Sequence, residues 1–283
     1  MTSPGVDETT ALLARIEQYY DALPRHSARA EDFGPLVLFV RESRGWPYYA
    51  RPAAGRAGPV GPGDVDRVRE RQRELGIPET FEWVDELNPQ LRASAEKSGL
   101  TVHEHPLMAL DPGAELPADR SADGLAVRIV GPDDPALPSA LAVPRLAFAE
   151  PGTGIGAGGR ADLEQMLSAK AHDGSVAHVV ARMQAGWTVV AAAVDDGTAL
   201  SAGQHQPIGR VSEIVGVGTL PTARRRGLGR AVTAALAADA RTGGVDTVFL
   251  SADDEDVARI YAGLGFRRIA TALIADAPPA IRE

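Results

Sequence analysis

Pro221-Thr-Ala-Arg224-Arg225-Arg226-Gly227-Leu228-Gly229-Arg230, directly after the apolar run Glu213-Ile-Val-Gly-Val-Gly-Thr-Leu220, is the stretch whose reading decides the fold. The apolar run predicts a strand, and the residues from Gly229 to about Arg241 predict a helix. Two glycines one residue apart let the chain pass from one to the other and aim several backbone N–H groups at one point. The helix adds about half a positive charge at its N-terminus, and three consecutive arginines surround it. An anion site is the expectation, while Gly-x-Gly taken alone is equally a tight turn.

Outward from this point, the second half of the chain predicts a strand at Leu125–Val130 and a helix near Pro135–Ala149. A glycine-rich interruption at Gly152–Gly159 and a helix at about Ala161–Ala171 follow. Val176–Met183 and Trp187–Val194 read as a strand pair, and Gly203–Pro207 as a loop leading into the strand before the arginines. A strand at Thr247–Leu250, a helix at about Glu255–Leu264 and a strand at Phe266–Ala275 close the order. The first half predicts a helix at Thr10–Leu23 and a hairpin of Leu36–Val40 with Trp46–Ala50. Helices from about Asp64 and Pro89 then alternate with strands at Phe81–Val84 and Leu100–Leu110. The Pro, Gly, Ala and Asp of Asp111–Gly124 mark a linker, giving domains 1–118 and 125–283 joined by 119–124.

Composition narrows the function. A net charge of −9, from 29 Lys and Arg against 38 Asp and Glu, argues against a nucleic-acid binder. With no cysteine there is no disulfide, thiolate nucleophile or cysteine-held zinc. The start of the chain lacks a secretory layout, and no apolar run approaches the roughly 20 residues of a membrane span. A cytoplasmic protein without membrane partner is the expectation. His103 and His105 share one face of a predicted strand, but no third ligand accompanies them, so no metal site is expected. Gly154-Ile-Gly-Ala-Gly-Gly159 fits G-x-G-x-x-G, yet it follows a helix-like segment rather than a strand and reads as a mobile loop.

The second half resembles the GNAT acetyltransferases over about Leu125 to Asp276. Arg224-Arg225-Arg226-Gly227-Leu228-Gly229 fits the family's acetyl-CoA loop, Arg or Gln, x, x, Gly, x, Gly or Ala. Asp254 through Tyr261 to Gly265-Phe266 is similar to its closing helix, with Asp254 in place of the usual Asn. Glu213 stands eleven positions before Arg224, where some members keep a general base. The resemblance implies an α/β (α+β) GNAT acyl-CoA N-acyltransferase fold, with a mixed, mostly antiparallel sheet flanked by helices. It implies an N-acetyltransferase that uses acetyl-CoA as donor and a small-molecule or protein amine as acceptor, with a homodimer left open. On this reading Val217, Gly218 and Thr219 align the donor's pantetheine arm. Arg224, Arg225, Arg226, Gly227, Leu228, Gly229 and Arg230, with Asp254, belong to the donor site; Glu213 is the base and Tyr261 the acid.

The chemistry is consistent with those residue types. An alkylamine with pKa near 10 must lose a proton before it attacks a thioester, which asks for a base, and a phenol can protonate the departing thiolate. Tyr261 read in isolation is equally a core aromatic, and Glu213 an ordinary strand-edge carboxylate. Sliding the chain on itself by about 166 residues sets Gly61 and Gly63 on Gly227 and Gly229, and Gly99 on Gly265. The same register puts Gly58, Pro47 and Ala95 opposite Arg224, Glu213 and Tyr261. The first half therefore reads as a degenerate, non-catalytic GNAT-like domain. The rival readings are an acyl-CoA sensor without turnover and a nucleotide hydrolase, the latter lacking the Gly-Lys-Ser/Thr ending.

Overall fold

Leu12, Leu13, Ile16, Tyr19, Tyr20 and Leu23 recur at helical spacing and are all buried, which fixes the first helix, α1 (Pro4–Ala22), through its apolar face. The computed structural model describes residues 4–42, 48–56, 58–117, 121–170 and 174–278. After α1 come β1 (Ala28–Asp32), β2 (Leu36–Arg41), β3 (Ala50–Pro52), α2 (Pro62–Glu74), β4 (Thr80–Val84), α3 (Pro89–Lys97) and β5 (Thr101–Leu110). The chain continues through β6 (Ser121–Ala122), β7 (Leu125–Val130), α4 (Leu137–Ala149), α5 (Arg160–Lys170), α6 (Ser175–Gln184), β8 (Val189–Asp195), β9 (Thr198–Ile208) and β10 (Val211–Thr219). It finishes with α7 (Leu228–Thr242), β11 (Thr247–Ser251), α8 (Glu255–Ala262) and β12 (Phe266–Asp276). The fold is mixed α/β, with mostly antiparallel strand pairing and flanking helices. Among the described residues no helix is long and apolar enough to cross a membrane.

Two compact units divide the chain. Unit 1 comprises Met1–Leu107, Ser251–Asp254 and Arg268–Glu283; unit 2 comprises Met108–Leu250 and Glu255–Arg267. In unit 1, β1, β2 and β3 pair antiparallel in turn, and β3 and β4 run parallel. The free side of β4 is taken by β12, antiparallel, with Leu273 opposite Trp83 and Ala275 opposite Phe81. Leu273 and Ala275 thus sit in the same buried cluster as Leu36, Leu38, Val65, Val68, Phe81, Trp83 and Leu91. Unit 2 carries the order β11-β10-β9-β8-β7-β6, parallel at β10/β11 and antiparallel elsewhere.

These contacts differ from a division at 119–124. The strand that ends the second half is built into the first unit, because β4 leaves a row of backbone groups that only another strand can satisfy. Ser121 and Ala122, placed at the end of the linker by sequence, pair with β7 across a turn at Asp123-Gly124. At an offset of 166 residues, α2, β4, α3 and β5 fall on α7, β11, α8 and β12 with every boundary within two residues. The position of Pro47, set opposite Glu213 in that register, lies outside the described residues, as do Trp46 and most of the proposed turn before it.

Two elements differ from the sequence reading. Ser175–Gln184 is helix α6 and not a strand: Val176, Val179, Val180 and Met183 keep the helical spacing, which overrides the β-branched character of the valines. Gly203–Pro207 is not a loop but the interior of β9, which turns at Gly209 (φ +57°) into β10. Gly203 is required there by packing, since a Cβ would lie 2.8 Å from Val217 Cγ2 and 3.2 Å from Leu236 Cδ1 of α7.

Because β12 completes the unit 1 core, Leu273→Ala should destabilise the first half of the chain although the residue lies near its end. A loss of about 2–5 kcal/mol is expected in urea unfolding followed at Trp83; an unchanged midpoint would show that β12 is dispensable to unit 1.

Candidate acyl-donor site

β10, α4, α7 and the loop before α7 all belong to unit 2. β10 and β11 pair parallel only at Val211–Glu213 with Thr247–Phe249. Beyond Glu213, β10 stays paired with β9 and is bent by a bulge between Val215 and Gly218, with Gly216 at φ +62°. Glu213 therefore stands where the two parallel strands part. Its side chain is buried. Ser212 is turned toward α7, so alternation directs Glu213 to the opposite face, where α4 packs on Gly218. At Gly218 a Cβ would approach Pro144 Cα to 2.7 Å.

After Thr219 the chain makes a short turn, Pro221–Ala223, and then two left-handed residues, Arg225 (φ +66°) and Gly227 (φ +76°), before α7. Gly227 is the N-cap and supplies no side chain, and no acidic residue stands in the first turn. Among the described residues no side chain caps the start of α7. Gly229 lies against the end of β10: a Cβ there would sit 3.3 Å from Thr219 Oγ1 and 3.9 Å from Val217 Cγ1. Thr219 Oγ1 is in turn 2.9 Å from Ser201 Oγ. The structure thus brings Val217, Thr219, Gly227 and Gly229 together, with Leu228 buried behind them.

The arginines divide. Arg224 is buried, and its guanidinium donates to Ala147 O (2.9 Å) and Glu150 O (2.5 Å) at the end of α4 and to Gly154 O (3.2 Å). Arg226 pairs with Asp123 in the β6–β7 turn. Arg230 donates to Gly263 O (2.9 Å), which ties the first turn of α7 to the end of α8. Arg225 is exposed.

The glycine-rich segment is not the mobile loop expected from sequence. The Glu150 carboxylate accepts from Ala157 N (3.0 Å) and Gly158 N (3.1 Å), Gly156 N donates to Pro221 O (3.1 Å), and Thr222 N donates to Gly158 O (3.0 Å). The glycines allow this closure; at Gly156 a Cβ would fall 1.7 Å from Glu150 Oε1. Those bonds strap the segment to the loop before α7.

Tyr261 is buried on α8, its ring 6.1 Å from that of Phe266. It shares its helix end with Gly263, the acceptor of Arg230. Asp254 precedes α8, is exposed, and is grouped with unit 1 rather than with the loop.

Sequence reasoning missed one buried polar chain. Ser212 Oγ lies 2.9 Å from His205 Nδ1, and His205 Nε2 lies 3.0 Å from Asp239 Oδ2 of α7. The carboxylate can only accept, so Nε2 carries the proton and Nδ1 accepts from the serine hydroxyl. Burial pushes the His205 pKa down, and Asp239 offsets this only in part. Ser212 has no exposed surface and is no nucleophile. The chain instead pins α7 to the sheet. The turn at Gly209 was the signal: with it, the register sets Ile214 on His205 and Ser212 two residues away.

A family model described as FR47-like protein matches residues 195–274, which span the loop, α7 and α8. Among solved structures, a GCN5-related N-acetyltransferase from Kribbella flavida is similar at 24% identity, with 95% of this chain and 96% of that one covered and a TM-score of 0.66. A GCN5-related N-acetyltransferase from Sphaerobacter thermophilus is similar at 19% identity over 88% and 83% of the two chains, TM-score 0.55. A tandem GNAT protein from the clavulanic acid biosynthesis pathway gives 19% identity over 87% and 80%, TM-score 0.51. No curated protein matches the chain.

Since His205 is held neutral in the fold, with its pKa below the unfolded value, its contribution to stability is complete above about pH 6.5 and lost as pH falls through the lowered pKa. Unfolding free energies of wild type and His205→Gln should converge between pH 7 and pH 5; a constant difference would exclude the neutral assignment. The fold is that of the GNAT acetyltransferases among these solved structures, and the stretch 195–274 is similar to the FR47-like family model.

Proposed function

We propose that unit 2 is an acetyl-CoA-dependent N-acetyltransferase acting on a primary amine of a small molecule or a protein. The observation that carries this reading is the uncapped N-terminus of α7, set beside a strand that parts from its parallel neighbour at a buried glutamate. The backbone N–H groups of 225–230 would hold the donor's diphosphate, where the helix dipole favours negative charge. The backbone of Val217–Thr219, bent away from β11, would align the pantetheine arm.

In the reaction the amine nitrogen attacks the thioester carbonyl, Glu213 takes the amine's proton directly or through water, and collapse of the tetrahedral intermediate breaks the C–S bond. Tyr261 then protonates the leaving thiolate. Asp254, on its exposed turn before α8, is the remaining residue proposed near the donor. For unit 1 a non-catalytic role is supported by the corresponding helix start. Pro62 at the first position of α2 has no N–H to offer, and the Asp64 carboxylate accepts from Gly61 N at 2.8 Å. On the face of its sheet toward α1, buried Arg51 bonds Glu82 at 2.6 Å and lies 4.0 Å over the Tyr20 ring.

Two measurements test the reading. Release of CoA thiol with at least one amine in a panel should fall tenfold or more in Tyr261→Phe while CoA affinity holds; CoA binding with no turnover across the panel would favour a sensor. Gly229→Asp, which sets a negative charge at the first turn of α7, should weaken CoA binding by at least about tenfold, roughly 1.4 kcal/mol, and unchanged binding in the folded variant would remove the diphosphate assignment.

A further inference from the structure

β9 lies between β8 and β10, and a strand paired on both sides ordinarily carries apolar side chains on a covered face. His205 points to α7, so alternation sends Ala202, Gln204 and Gln206 to the opposite face, the one that α4 packs on at Gly218. Ala202, opposite Gly218, is fully buried. Gln204 and Gln206 are only half-buried, so the cover on this face ends between positions 202 and 204. The register sets Gln206 directly opposite the buried Glu213 and Gln204 one diagonal step from it, about 7 Å away.

Gln204 is held in one orientation. Buried Thr188 donates its hydroxyl to Gln204 Oε1 at 3.0 Å. That bond uses the carbonyl end of the amide, and among the described residues no group accepts from Nε2. A glutamine fixed at one end by a buried hydroxyl thus presents two donors to whatever lies beside Glu213.

We infer that Gln204 recognises the amine substrate: Nε2 donates to a carbonyl oxygen of that molecule while Glu213 takes the proton from its nitrogen, and Thr188 acts through Gln204 as a positioning residue. This rests on the proposed acetyltransferase reading and adds the class of amine. Hydrogen bonds of about 2.9 Å at each end of a span of about 7 Å leave room for a nitrogen and an oxygen roughly three bonds apart. That is the spacing of an α-aminoacyl group, as in an amino acid, its amide or the N-terminus of a peptide. A plain alkylamine or a polyamine offers no oxygen there and leaves the Gln204 donors shielded from water without a partner.

The test measures release of CoA thiol from acetyl-CoA with amino-acid amides, free amino acids and alkylamines of the same shape, such as glycinamide, glycine and isobutylamine. Comparing the amide-to-alkylamine ratio of kcat/KM between wild type and variants cancels the difference in basicity of the two amines. Gln204→Leu should lower that ratio at least about tenfold, with alkylamine turnover, CoA affinity and thermal midpoint kept. Gln204→Glu, which keeps the shape and exchanges the donors for acceptors, should lower turnover of the amide as far. Thr188→Val, which releases Gln204, should lose part of the preference. Amides favoured over free acids identify a peptide-type carbonyl and the reverse a carboxylate; either supports the contact. An unchanged ratio in both Gln204 variants, or an equal loss with amide and alkylamine, overturns the assignment and leaves the acetyltransferase reading standing. So does a wild type that accepts alkylamines or polyamines but no carbonyl-bearing amine. Wild-type protein that binds CoA and acetylates no amine overturns both.

Discussion

The candidate site hangs on one buried cation. Arg224 is a guanidinium taken out of water, and it is tolerable only because three carbonyls receive its N–H groups. Two of those carbonyls, of Ala147 and Glu150, belong to the last turn of α4 and the residue after it, where helix geometry leaves acceptors without internal partners and the dipole is negative. Hydrogen bonds to a charged group are worth about 1.5–3 kcal/mol each, so this side chain joins the loop before α7, the end of α4 and the glycine segment. Glu150 then uses its carboxylate to fold that segment back, and the segment's own amide and carbonyl return to Pro221 and Thr222. Each piece is thus an acceptor or donor for the next.

The two halves repeat one architecture and use it oppositely. Each has a helix between two parallel strands, but α2 is closed by a proline and its own aspartate, whereas α7 begins at a bare glycine. The two helix starts thus differ in whether the protein itself closes them.

Much of this was legible in sequence. The helices at 62–74, 89–97 and 228–242 announced themselves by period, and the repeat offset was visible in glycines alone. Legibility failed where local pattern and tertiary need diverge. Valines in α6 imitated a strand, and Gly203, an obligation of packing against α7, imitated a turn. Arg224 was counted with the anion site on charge, yet its charge is satisfied internally by carbonyls up to 77 residues away. The G-x-G-x-x-G segment follows helix α4, and its glycines answer to the Glu150 carboxylate and Pro221, contacts that no spacing rule contains. Unit boundaries failed for a related reason: composition marks where a chain is flexible, not which strand completes which core.

The place of β12 has a consequence for how the protein comes to exist on the ribosome. Every other described element of unit 1 except the short 251–254 segment is synthesised within the first 107 residues, but the strand beside β4 follows all the rest. Domains generally fold as units in order of emergence; here the earlier unit must wait, with β4 unpaired on one side, until the later one has been made. Translation order and folding order are uncoupled in unit 1, whose β4 edge stays open until residues 272–276 have been made.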